Sequence, residues 1–163
     1  MGKPPHIRLR KLLDTPLAAP VWPAGIAPTA FGAVDPRLVH ALLDLAFTGG
    51  LIAPFEDWYG NLTSDSEFDP ALCIPALAAD GSVAGYAQCW TPGFVKDLAV
   101  APDHRGEGLG TALMLHVFAL FAARGTAYVD LKVEHSEVPA RRLYARLGMI
   151  EVEDPVPTGA AGP

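Results

Sequence analysis

Residues 95–125, VKDLAVAPDHRGEGLGTALMLHVFALFAARG, narrow the choice of fold more than any other part of the chain. The stretch opens as a strand, crosses an arginine followed by glycines at 106, 108 and 110, and runs on as a long apolar helix. A second strand-like run, AYVDLKVE, follows. A strand that returns to the same sheet after a helix lies parallel to the first. Upstream, ALCIPALAADGSVAGYAQCW reads as two strands around Asp80-Gly81, the strongest hairpin signal in the chain, and FVKDLAV continues as a third strand after the Pro92-Gly93 turn. Antiparallel strands leading into a parallel unit predict an α/β (α+β) architecture, a central mixed sheet flanked by helices on both faces.

The remaining elements fit around that unit. In DPRLVHALLDLAF, Asp35 is placed as an N-cap with Pro36 at the first helical position, and Leu38, Leu42 and Leu45 share one face. PFEDWYGNL reads as a short helix closed by Gly60. SEVPARRLYARLG carries Ala140, Leu143, Tyr144 and Leu147 at helical spacing with Gly148 past the end, and MIEVE supplies a last strand. The first 30 residues combine a basic strand-like piece, HIRLRKLL, with prolines at 16, 20, 23 and 28 that forbid a helix and allow a short strand near 26–31. Residues 1–30 are therefore expected to form an extended lead-in, 31–154 the domain, and 155–163 a disordered tail.

Composition excludes several classes. With 163 residues, half of them apolar, the chain is sized for a single packed domain. A formal net charge of −6 argues against a nucleic-acid partner. No run approaches the roughly 20 apolar residues of a membrane span, and MGKPPHIRLRKLL lacks a signal-peptide core, so no membrane and a cytoplasmic location are expected. Cys73 and Cys89 sit in strand-like apolar runs and read as small buried residues. The five histidines lack ligand spacing, and no metal is expected.

At the glycine junction, free backbone N–H groups meet the positive end of a helix dipole, which makes an anion site. Gly106, Gly108 and Gly110 allow a ligand to approach the main chain, and Arg105 can add a forked donor. A turn that merely packs helix on strand is the plainer alternative. The dinucleotide fingerprint fails, because the sixth position counted from Gly106 is Thr111, and the P-loop fails for want of a lysine in the turn.

What remains, Arg105-x-x-Gly108-x-Gly110 after DLAV-AP, resembles the pyrophosphate-binding signature of the GCN5-related N-acetyltransferase (GNAT) superfamily, and the likeness extends through VDLKVE and ARRLYARLGM over roughly residues 30–152. The resemblance implies transfer of an acetyl group from acetyl-CoA to a primary amine of a small molecule or peptide, by direct attack. Leu98, Ala99 and Val100 would then meet the pantetheine arm, and Arg105, Gly106, Glu107, Gly108, Leu109, Gly110 and Thr111 the pyrophosphate. Tyr144 matches the place of the general acid. Read from the residues alone, it is a core tyrosine beside Leu143 and Leu147.

The base is less legible. Strict alternation sets Phe94, Lys96, Leu98 and Val100 on one face of their strand and Val95, Asp97 and Ala99 on the other, so Asp97 has the right chemistry but faces away from Phe94, where some relatives carry glutamate. A water acting with Glu134, Asp57 or Glu56 is an equal alternative. Glu137 stands where the family often has asparagine. Trp58, Tyr59, Tyr86 and Trp90 are expected to line an acceptor pocket, with Glu56 and Asp57 suiting a cationic amine. The tail is too short for the seventh strand relatives usually have, so either HIRLRKLL or a partner subunit, as in a homodimer, is expected to cover the sheet edge. A non-catalytic CoA-binding module is the rival reading, and a nucleotide-binding regulator a weaker third.

Overall fold

A computed structural model describes residues 5–155; the tail expected at 155–163 falls almost wholly outside them. The strands are β1 (His6–Leu12), β2 (Ala27–Pro28), β3 (Cys73–Leu77), β4 (Val83–Trp90), β5 (Phe94–Val100), β6 (Tyr128–Glu134) and β7 (Ile150–Val152). The helices are α1 (Pro36–Ala46), α2 (Phe55–Ser64), α3 (Leu109–Ala123) and α4 (Val138–Arg146). All seven strands form one sheet in the order β2-β3-β4-β5-β6-β1-β7. It is mixed, as expected: β5 and β6 run parallel, and every other described pairing is antiparallel.

Two apolar clusters sandwich the sheet. One joins α3 and α4 to Ala87, Cys89, Val95 and Leu131, with Phe118 and Phe121 fully buried. The other joins α1 and α2 to Tyr86 and Ala99. Their helices obey the local signals: Asp35 accepts the Arg37 N–H at 2.9 Å ahead of Pro36, and Gly148 takes a φ of 85° past α4. The Asp80-Gly81 hairpin closes through Gly81 N–H to the Ala78 carbonyl at 2.9 Å.

Two expectations are corrected. Gly60 does not close α2, which runs on to Ser64, because Gly60 keeps a negative φ and the helix pays only a propensity cost there. Helix α1 buries Val39, Leu42 and Leu43, while Leu38 and Leu45 face solvent; two apolar stripes overlap on it, and the β-branched one meets the sheet. The lead-in carries β1, an interior strand that pairs seven residues with β6 and three with β7. Of the two covers weighed for the sheet, the N-terminal segment is the one observed.

Candidate active site

Strands β5 and β6 pair only at Phe94–Asp130 and Val95–Leu131, at the start of β5. Beyond Val95 they part, and a cavity of about 430 Å³ opens through the sheet between Lys96, Asp97 and Leu98 on one side and Lys132 and Glu134 on the other. The main-chain groups that β5 would present to β6 along residues 96–100 are left without that strand. Strand β5 itself leads to the glycine junction, through a single 3-10 turn, Pro102–His104, that ends at Arg105.

The junction has the form expected of an anion site. Gly108 is the N-cap of α3 at a φ of 86°, with no side chain capping the helix, so the first-turn N–H groups of Leu109, Gly110 and Thr111 point outward. A Cβ added at Gly106 or Gly108 would meet nothing within 4 Å, so the space beside each α-carbon is open. Only glycine holds the positive φ there without strain. The Glu107 carboxylate is turned aside, 3.1 Å from His104 Nδ1, and Arg105 is exposed and forms no ion pair among the described residues.

Tyr144 lines the far wall of the wedge, 8% exposed, together with Glu137 and Ala140. Its hydroxyl enters no side-chain hydrogen bond among the described residues and is not a buried orphan, so it keeps some access to solvent. Burial, and secondarily the Glu137 carboxylate, pushes it up to about 12. The group stays protonated at neutral pH. Tyr144 both packs in the α3/α4 cluster, as the core reading expects, and lines the wedge. Glu137 begins α4 without capping it.

Asp97 is re-aimed by a bulge. Gln88 pairs with Asp97 and Cys89 with Val95, leaving Lys96 as an extra residue in β5. Strict alternation fails at that point, and Asp97 joins Phe94 and Ala99 on the face toward α1 and α2. Lys96 Nζ stands 3.1 Å from Asp97 Oδ2, and the pair lines both the wedge and a second cavity of about 290 Å³ on that face.

That second cavity corrects the expected aromatic wall. Trp58 and Trp90 line it. Tyr59 instead stacks on Phe55 at 5.6 Å, and Tyr86 is fully buried, its hydroxyl donated to Gln88 Oε1. Glu56 and Asp57 lie in the exposed first turn of α2, outside the lining of either cavity, where they complement the helix dipole. Gln88 and Asp65 line the cavity and were not anticipated. Gln88 was findable, two residues from Tyr86 on the same strand face; Asp65, within a polar loop, carried no signal.

Residues 37–149 match the Acetyltransferase (GNAT) family. The chain belongs to that family. It is 36% identical over 135 residues to a mycothiol acetyltransferase of Clavibacter michiganensis, covering 76% of this chain and 42% of that protein. It is 37% identical over 119 residues to a streptothricin acetyltransferase of Streptomyces lavendulae, covering 70% of this chain and 58% of that one. The fold matches the crystal structure of a GCN5-related N-acetyltransferase from Sphaerobacter thermophilus with a TM-score of 0.78 and 31% identity, over 90% of this chain and 48% of the other. The GNAT chain thus spans about half the length of these relatives. No described helix is long and apolar enough to cross a membrane.

Proposed function

We propose that this GNAT chain transfers an acetyl group from acetyl-CoA to a primary amine. The observation that carries the reading is the parting of β5 from β6 along the strand that runs directly into the uncapped, glycine-lined start of α3. One end offers unpaired strand groups to an amide-bearing arm, as an added strand would use them. The other offers backbone N–H groups, a helix dipole and Arg105 to a pyrophosphate. The open space beside the α-carbons of Gly106 and Gly108 fits that ligand.

Acetyl-CoA supplies a thioester, whose acyl carbon is activated toward nitrogen. The amine nitrogen forms a bond to that carbon as the carbon–sulfur bond breaks and the electron pair leaves on sulfur. Two protons must move: one leaves the attacking nitrogen, and one reaches the departing sulfur. Asp97, which lines both cavities, would accept the first directly or through water. Tyr144, protonated and lining the wedge, would give the second.

A thiol-release assay over a panel of amines tests this. Tyr144→Phe keeps the ring in its cluster and removes only the hydroxyl. Turnover is expected to fall roughly 10²- to 10⁴-fold with acetyl-CoA affinity held, the loss shrinking for acyl donors with better leaving groups. Unchanged turnover in the folded, CoA-bound variant removes Tyr144 from the chemistry and returns the rival reading of a non-catalytic CoA-binding module.

A further inference from the structure

The cavity on the α1/α2 face is lined by two carboxylates, Asp97, which is paired with Lys96, and Asp65. Asp97 stands at its inner end, shared with the wedge; Asp65 stands at its rim, and Trp58 and Trp90 line the space with them. We propose that the acceptor is a small amine carrying a second cationic group, the reacting nitrogen directed to the wedge at Asp97 and the second cation held by Asp65 against the indole faces. This rests on the acetyl-transfer reading and specifies its substrate class.

Four features converge on that ligand. Asp65 is the C-cap of α2, where the last helical carbonyls add partial negative charge to its carboxylate. Its loop is fixed: Asp65 Oδ1 accepts the Glu67 N–H at 2.8 Å, and the Glu67 carbonyl accepts the Thr91 N–H at 3.1 Å, tying the loop to the end of β4 beside Trp90. That leaves Asp65 Oδ2 without a cation among the described residues, whereas Asp97 is matched by Lys96. Trp58 is braced by His40, Phe55 and Tyr59 at centroid distances of 5.5 to 6.3 Å, so it offers a preset ring face.

Size completes the selection. About 290 Å³ accommodates a short alkyl chain with two polar ends and is small for an extended peptide. A neutral tail would leave Asp65 unmatched, and a carboxylate tail would be repelled by it.

The test is calorimetric titration of the protein, with and without saturating coenzyme A, by 1,5-diaminopentane and by pentylamine, repeated at neighbouring chain lengths. The diamine is expected to bind about tenfold more tightly than the monoamine at the best length. Asp65→Asn keeps the Oδ1 acceptor for Glu67 and loses only the charge; it should erase most of that preference. Glu56→Gln, exposed on α2 outside the cavity, should leave it intact. Equal affinity for the two amines, or a preference that survives Asp65→Asn, overturns the proposal. So does a preference lost equally in Glu56→Gln, which would reveal only a general surface field. The same amines in the thiol-release assay keep the two readings apart: diamine binding without turnover contradicts acetyl transfer alone, and turnover with no diamine preference contradicts the acceptor class alone.

Discussion

The two halves of the sheet, β2 to β5 and β6-β1-β7, are built on different principles. In β4 every residue from Ala84 to Cys89 is buried, because α3 covers one face and α1 with α2 the other. Strand β1 alternates: Ile7 and Leu9 are buried toward α3 and α4, while Arg8 and Arg10 hold the buried carboxylate of Asp130 from the polar face. One half is fixed by apolar packing on both sides, the other by packing on one side and an ion triad on the other. Because the halves join at only two residue pairs, each can be rigid while the gap between them stays open. The candidate site is that gap.

The joint should be the most sensitive point. Gly93 precedes β5 at a φ of 107°, and its carbonyl accepts the Asp130 N–H at 2.8 Å; an added Cβ would stand 2.7 Å from the Tyr128 carbonyl oxygen. Gly93→Ala combines backbone strain with that contact and is expected to destabilise by about 3 to 4 kcal/mol in urea unfolding. A loss below about 1 kcal/mol would show that the halves are not held together there.

Asp130→Asn should cost somewhat less, about 2 to 3 kcal/mol, since it leaves Arg10 without an anion and Arg8 with only the exposed Asp154 at 3.8 Å, both still in reach of water. Burial pushes the Asp130 carboxyl up, but the hydrogen bonds from Arg10 and Arg8 outweigh it and hold the group below its ordinary value. A carboxyl lowered in the folded state stabilises above its unfolded pKa, and that contribution disappears as pH falls through the folded value. Wild type and Asp130→Asn should therefore differ most near neutrality and converge in acid. A gap independent of pH would mean that the triad acts through shape alone.

The smallest of these effects falls on the gap itself. Arg105→Ala should weaken acetyl-CoA binding by about 1 to 2 kcal/mol and leave the unfolding midpoint unmoved, since Arg105 is exposed and engages no carboxylate among the described residues. Equal affinity in the variant would assign the anion site to backbone groups only.

The sequence disclosed the two halves unequally. The hairpin, the strand–glycine–helix unit and the Tyr144 helix were legible because each is set by local signals: a turn dipeptide, a positive φ, a helical period. The insertion of β1 between β6 and β7 was not, since strand order is settled by long-range pairing that leaves no local mark. Asp97 shows a subtler failure. Its residue type was informative, but one extra residue at Lys96 reverses the alternation on which its orientation was judged. Tyr86 failed for a related reason: its strand is covered on both faces, so an aromatic there has no solvent side to line.

Amide hydrogen exchange with and without acetyl-CoA tests the central claim most directly, because it reports on backbone groups rather than on side chains. Slowed exchange is expected in β5 beyond Val95 and at the start of α3, with β1 and β7 unaffected, since the ligand would occupy the groups that the parting of the sheet and the uncapped helix leave unpaired. Saturating acetyl-CoA that protects neither stretch, or protects the β6-β1-β7 half instead, would contradict the account.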